Sequence, residues 1–115
     1  MRYLWLTLLF LSLCIEIFSQ STKAVQVSSP GTLVNYISDT EKKTITSLTV
    51  TGNIDSRDIA FIRDNLKIVE TLDLTGSTIV SYKGEKGTIT GSDTLYQANE
   101  IPAYSFYNPY LDTYK

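Results

Sequence analysis

The chain has no histidine among its 115 residues and only one cysteine, Cys14. The missing imidazole and the near-absence of thiol remove the two side chains most often used for nucleophilic and acid–base catalysis near neutral pH. No glycine-rich phosphate loop is present either, because "KGEKGT" lacks the spacing of one. Basic runs are also missing. The net charge is −2, which argues against nucleic acid or an anionic membrane as the partner. No cofactor is expected.

Long hydrophobic runs are lacking too, with one partial exception at the start. Tyr3 to Phe18 is almost wholly apolar but is broken by Thr7, Ser12 and Glu16. It is too short and too interrupted for a membrane span, which needs about 18 or more apolar residues. With Arg2 ahead of it, the segment reads as a secretory signal peptide over residues 1–19, cut after Ser19. Thr22-Lys23-Ala24 offers a second small-residue site for that cut. Removing the leader takes away one base, Arg2, and one acid, Glu16, so the charge stays at −2. It also removes Cys14. Leu11-Ser12-Leu13-Cys14 faintly resembles a lipidation box, but Leu13 stands where a small residue is expected. The exported chain then has no disulfide to use, so packing alone must hold one small domain of about 95 residues.

What the chain does have is an echo. "ITSLTVTG" at 45–52 returns as "VETLDLTG" at 69–76, a spacing of 24 residues at every aligned position. The period-two pattern puts Leu48 and Val50, and likewise Leu72 and Leu74, on one strand face, with Thr49 and Asp73 on the other. Between the two phrases, Ile59, Ile62 and Leu66 recur at helical spacing, with Phe61 beside them. Asp55 reads as the N-cap, Asp58 as its capping-box partner, and Ile54 with Ile59 as a hydrophobic staple. A strand–turn–helix unit of this length cannot bury both faces alone, so stacked copies are the expected solution. V69-x-x-L72-x-L74-x-x-S77-x-I79 fits the leucine-rich repeat form. The predicted fold is therefore α/β: a leucine-rich repeat solenoid of parallel strands and short helices. An N-terminal cap over 20–44, with a strand at Ala24–Val27 and a short helix carrying Leu33, Val34 and Ile37, would precede two units over 45–79. Thr32 or Ser29 is the expected cap of that short helix, and "DTEKKT" is expected as a polar turn. Residues 80–100 read as a loop insertion or short irregular hairpin, and 101–115 as the start of a further, truncated repeat.

Together "TITSLTVTGNIDSRDIAFIRDN", "VETLDLTGSTIVSY" and "NEIPAYSFYN" resemble the N-terminal part of BspA-like leucine-rich repeat proteins. The resemblance implies a secreted or cell-surface solenoid used in adhesion or recognition, and it brings no catalytic residues. On this reading the chain is a non-catalytic module that binds an extracellular protein or glycan. The outward strand residues Thr49, Thr51, Asp73 and Thr75 are the candidate platform. A purely structural N-terminal cap of a longer surface protein is the alternative.

Three other constellations deserve weighing. Tyr104, Phe106, Tyr107, Tyr110 and Tyr114 crowd near the C-terminus, and Tyr104, Tyr107 and Tyr110 are added as candidate binding residues because aromatic rings stack on sugars and pack on partners. The plainer reading makes Tyr104 and Phe106 core. Among Asp55, Asp58, Asp64, Asp73 and Asp93 a glycosidase pair is conceivable, although the first two are explained as caps. Asp55, Asp58, Asp93 and Glu100 are weak candidates for calcium, since no tight loop gathers them.

Overall fold

A computed structural model of the chain describes residues 21–107. The leader at 1–19, Cys14, Tyr110, Tyr114 and the end of the expected further repeat lie outside the described residues.

The ten-residue strand β2 (Ile45–Ile54) is the centre of the fold. β1 (Ser21–Val27) pairs parallel with it along one side, from Thr22 opposite Ser47 to Val27 opposite Gly52, after an irregularity between Ser21 and Thr22. Along the other side lie two short pieces, β3 (Thr71–Asp73) and β4 (Ser77–Ile79), both parallel to β2. Parallel neighbours cannot be joined by a tight hairpin, so each step needs a crossover. The first crossover holds a 3-10 turn (Leu33–Tyr36) and the one-turn helix α1 (Asp39–Lys42). The second holds the ten-residue helix α2 (Ser56–Asn65).

Both crossovers cover the same sheet face. Val25, Val27, Leu48, Val50 and Ile54 from the strands pack with Leu33, Ile37, Ile59, Ile62 and Leu66 in one cluster. Leu33 and Leu48 are wholly buried, and each such leucine contributes about 2 kcal/mol through removal of apolar area from water. Gly52 lets β1 approach. Its φ is +91°, and a Cβ there would run into the Val27 carbonyl oxygen.

α2 begins where the local sequence says it should. Asp55 is the N-cap, and a reciprocal capping box with Asp58 closes around it. Ile54 and Ile59 both join the core cluster, as a staple requires. The 3-10 turn is capped differently from the expectation. The Thr32 hydroxyl makes no cap bond and donates instead to the Ser29 carbonyl at 2.6 Å. Asp58, far along the chain, accepts the amides of Leu33 and Gly31 in its place. Val34, expected on the apolar face, is exposed. "DTEKKT" also exceeds a polar turn, since Ser38 and Glu41 form a capping box that starts α1.

The leucine-rich repeat solenoid expected from the echo is not the fold. The structure is a small α/β arrangement with a parallel sheet, a separate antiparallel pair and two α-helices among the described residues. The parallel register shows where the repeat fails. Leu48 lies opposite Leu72 and Thr49 opposite Asp73, but Gly52 faces Ser77, not Gly76. One extra residue is accommodated in the turn between β3 and β4. There Asp73 Oδ1 accepts the Thr75 amide at 2.9 Å and the Thr75 hydroxyl at 2.6 Å, while Ser77 donates through its amide and hydroxyl to the Leu74 carbonyl. These local bonds compete with the strand ladder and break it.

After Ile79 the chain forms no third strand–helix unit among the described residues. β5 (Tyr82–Gly84) and β6 (Thr94–Tyr96) pair antiparallel, with Tyr82 opposite Tyr96. Their rings stack at 6.1 Å. The segment between and beyond them folds back onto α2. The Thr88 amide donates to Ser56 Oγ at 2.9 Å, and the Thr88 hydroxyl to the Ala103 carbonyl at 2.6 Å. Arg63 fastens the same region from α2, donating to the carbonyls of Thr88 at 2.6 Å and Tyr104 at 3.0 Å.

Candidate functional site

The face of the parallel sheet opposite the helices is free of any covering element among the described residues. Register lays its side chains in rows: Thr22, Ser47 and Thr71; Ala24, Thr49 and Asp73; then Gln26 and Thr51, with Thr75 in the turn beyond β3. Neighbouring strands run about 4.8 Å apart and same-face residues about 6.7 Å apart along a strand, so the rows make a closely spaced lattice of mostly hydroxyl groups. Thr49 and Thr51 on the central strand are half-buried between their neighbours, whereas Asp73 and Thr75 are exposed.

Three of the four sheet candidates, Thr51, Asp73 and Thr75, are already engaged. Thr51 donates weakly to the Val25 carbonyl at 3.4 Å. The Asp73 carboxylate is held by Thr75, whose hydroxyl, foremost, and amide keep its pKa below the usual carboxylate value. Asp73 is therefore a fixed anion at one corner of the lattice. No family model matches the chain, and no curated protein matches it.

The aromatic candidates stand elsewhere. Tyr104, at φ +61°, and Tyr107 lie with ring centres 6.5 Å apart, and the Tyr104 carbonyl is bound by Arg63 of α2. They belong to the helix side of the molecule, so they do not share a surface with Thr49 and Asp73. Tyr110 is outside the described residues. Tyr104 and Phe106, read as possible core, are 46% and 78% exposed.

The aspartates considered for catalysis or calcium each have a structural partner. Asp55 is buried and gripped by Arg57, whose Nη2 lies 2.6 Å from Oδ2. That contact raises the Arg57 pKa above its ordinary value. Asp58 accepts three backbone amides, from Gly31, Leu33 and Asp55. Asp64 takes a two-pronged contact from Arg63, and Asp93 lies 3.8 Å from Lys83. Glu100 is exposed. Among the described residues no group of three or more such ligands gathers to hold a metal, and no helix is long and apolar enough to cross a membrane.

Sequence reasoning missed the arginines. Arg57 bridges Asp55 and the Pro30 carbonyl while its guanidinium lies 4.6 Å over the Tyr82 ring. Arg63 has a nearly buried side chain with 5% exposure. Arg57 and Arg63, flanking the apolar stretch Ile59-Ala60-Phe61-Ile62 of one short helix, were the available signal. It also missed a groove of about 350 Å³ beside β3, because the groove exists only where α2, β3 and residues 105–106 meet.

Proposed function

We propose that the chain is an exported, non-catalytic binding or adhesion module that meets an extracellular protein or glycan through the outer face of its parallel sheet. The observation that carries this reading is the row Ala24–Thr49–Asp73 across β1, β2 and β3, flanked by Thr51 and Gln26 and centred on β2, whose other face is wholly buried at Leu48 and Val50. A strand anchored that firmly holds its outer side chains in place before contact. Binding then loses less side-chain freedom than it would on a loop. Hydroxyls both donate and accept, which suits sugar hydroxyls and peptide groups alike, and Asp73 adds one oriented charge. The apolar leader at 1–19 supports export, as does the resemblance of the motifs to BspA-like surface proteins.

The test is a screen of the purified chain against immobilised glycans and extracellular proteins, repeated with Thr49→Arg. Loss of a bound partner at unchanged melting temperature supports the sheet face as the contact surface. Binding indifferent to Thr49→Arg and to Gln26→Arg removes that face from consideration, and hydrolysis of any glycan in the panel refutes a non-catalytic role.

A further inference from the structure

The two edges of the parallel sheet are finished differently. At the β1 edge the inner-face residue Lys23, opposite Leu48, is tied to Glu41 at 2.6 Å, so a charged pair closes the core there. An inward charge of this kind also discourages another strand from pairing with the edge. At the β3 edge the residue opposite Leu48 is Leu72, only half-buried. Beside it Ile62, Leu66 and Val69 floor the 350 Å³ groove, and Phe106 stands at its rim. Phe106 and the neighbouring Ile68 are 78% and 45% exposed. An apolar hollow with an exposed apolar knob on the same patch is a surface that fits a copy of itself.

The charges on this patch say the same. Lys67 and Glu70 both line the groove and are exposed, and neither has an ion-pair partner among the described residues. They flank Ile68 and Val69. A two-fold axis through the middle of this loop sets Lys67 of one copy against Glu70 of the other, and the reverse, while Ile68 of each copy meets Val69 of the other. Isologous contacts have this self-complementary form, and they close at two subunits instead of growing into a fibre. We propose that the chain forms a two-fold dimer through the Lys67–Glu70 loop and the adjoining groove, with Phe106 of each copy seated in the groove of the other. The polar lattice of the sheet lies on the opposite face. Dimerisation therefore leaves it open and doubles it, which strengthens attachment to a repetitive surface through effective concentration.

Sedimentation velocity of the purified full chain over the micromolar range tests this, with far-UV circular dichroism as the folding control. The expected result is a monomer–dimer equilibrium weakened about tenfold or more by Lys67→Glu and equally by Glu70→Lys, since each reversal sets like charges together twice. The double reversal, Lys67→Glu with Glu70→Lys, restores dimerisation. Phe106→Ala weakens it without touching the charges. A chain that stays monomeric overturns the proposal. So does a dimer unmoved by the single reversals, or one that the double reversal fails to restore.

Discussion

Asp58 Oδ1 accepts the backbone amide of Leu33 at 3.0 Å across 25 residues of chain. The other carboxylate oxygen accepts Gly31 at 2.7 Å and Asp55 at 3.0 Å. One side chain thereby serves as a capping-box member for α2 and as the cap of the preceding 3-10 turn, and it fastens the two crossovers together over the core.

Asp58→Ala leaves those three amides without their acceptor, in a site where the side chain is 1% exposed. The expected loss is about 3 kcal/mol, or a fall in melting temperature of roughly 15 °C for a domain this size. Asp58→Asn keeps an acceptor oxygen and should lose less. Thermal denaturation of both variants checks the order, and equal losses would mean that the bonds to Gly31 and Leu33 contribute little.

Gly52→Ala should be among the most damaging small substitutions. It adds a methyl against the backbone of Val27 and forces a positive φ on a residue that resists it, for an expected cost of about 3 kcal/mol. Gly91, with φ +75° and no atom near its absent Cβ, is the control. Alanine there carries only the dihedral strain, about 1 kcal/mol. Chemical denaturation of the pair separates the steric part from the dihedral part.

The Lys23–Glu41 pair gives the acid limb of the stability curve a specific contributor. The hydrogen bond from Lys23, with a further one from the Ser38 amide, lowers the Glu41 pKa from 4.5 to about 2. A depressed carboxylate pKa stabilises the fold fully above the unfolded value of 4.5, and that contribution fades as pH falls toward 2. The difference in melting temperature between the parent chain and Glu41→Gln should therefore be largest near neutral pH and shrink between pH 4.5 and 2. A difference that stays constant through that window would remove the ion pair as its source. Added salt should reduce it as well, because the pair is partly open to solvent.

Arg63→Met tests how the second half of the chain is held. The substitution keeps apolar bulk on α2 but removes the donors to the Thr88 and Tyr104 carbonyls. Amide hydrogen exchange should quicken across residues 85–107 and stay slow in β1 and β2, because the sheet core does not depend on those bonds. Uniform acceleration throughout would show the two regions to be one cooperative unit.

Features resting on neighbours in sequence were legible without coordinates. The echo of 45–52 in 69–76 brings Leu72 beside Leu48 and Asp73 beside Thr49. The Asp55 cap, the Asp58 box and the Ile59–Ile62–Leu66 stripe specify α2, since each depends on residues within about one turn of another. Tertiary structure decided the rest. A period of 24 residues states that two strands are alike, but not what the chain after Ile79 packs against. Here it packs on the α2 N-terminus through Thr88 and Ser56, which are 32 residues apart, so no third unit follows the second among the described residues. The polar lattice depends likewise on a one-residue irregularity between Ser21 and Thr22 that sets Ala24 beside Thr49. A slip of one residue in a strand turns every side chain to the other face. Local pattern wrote the elements, and long-range contacts chose their register and their partners.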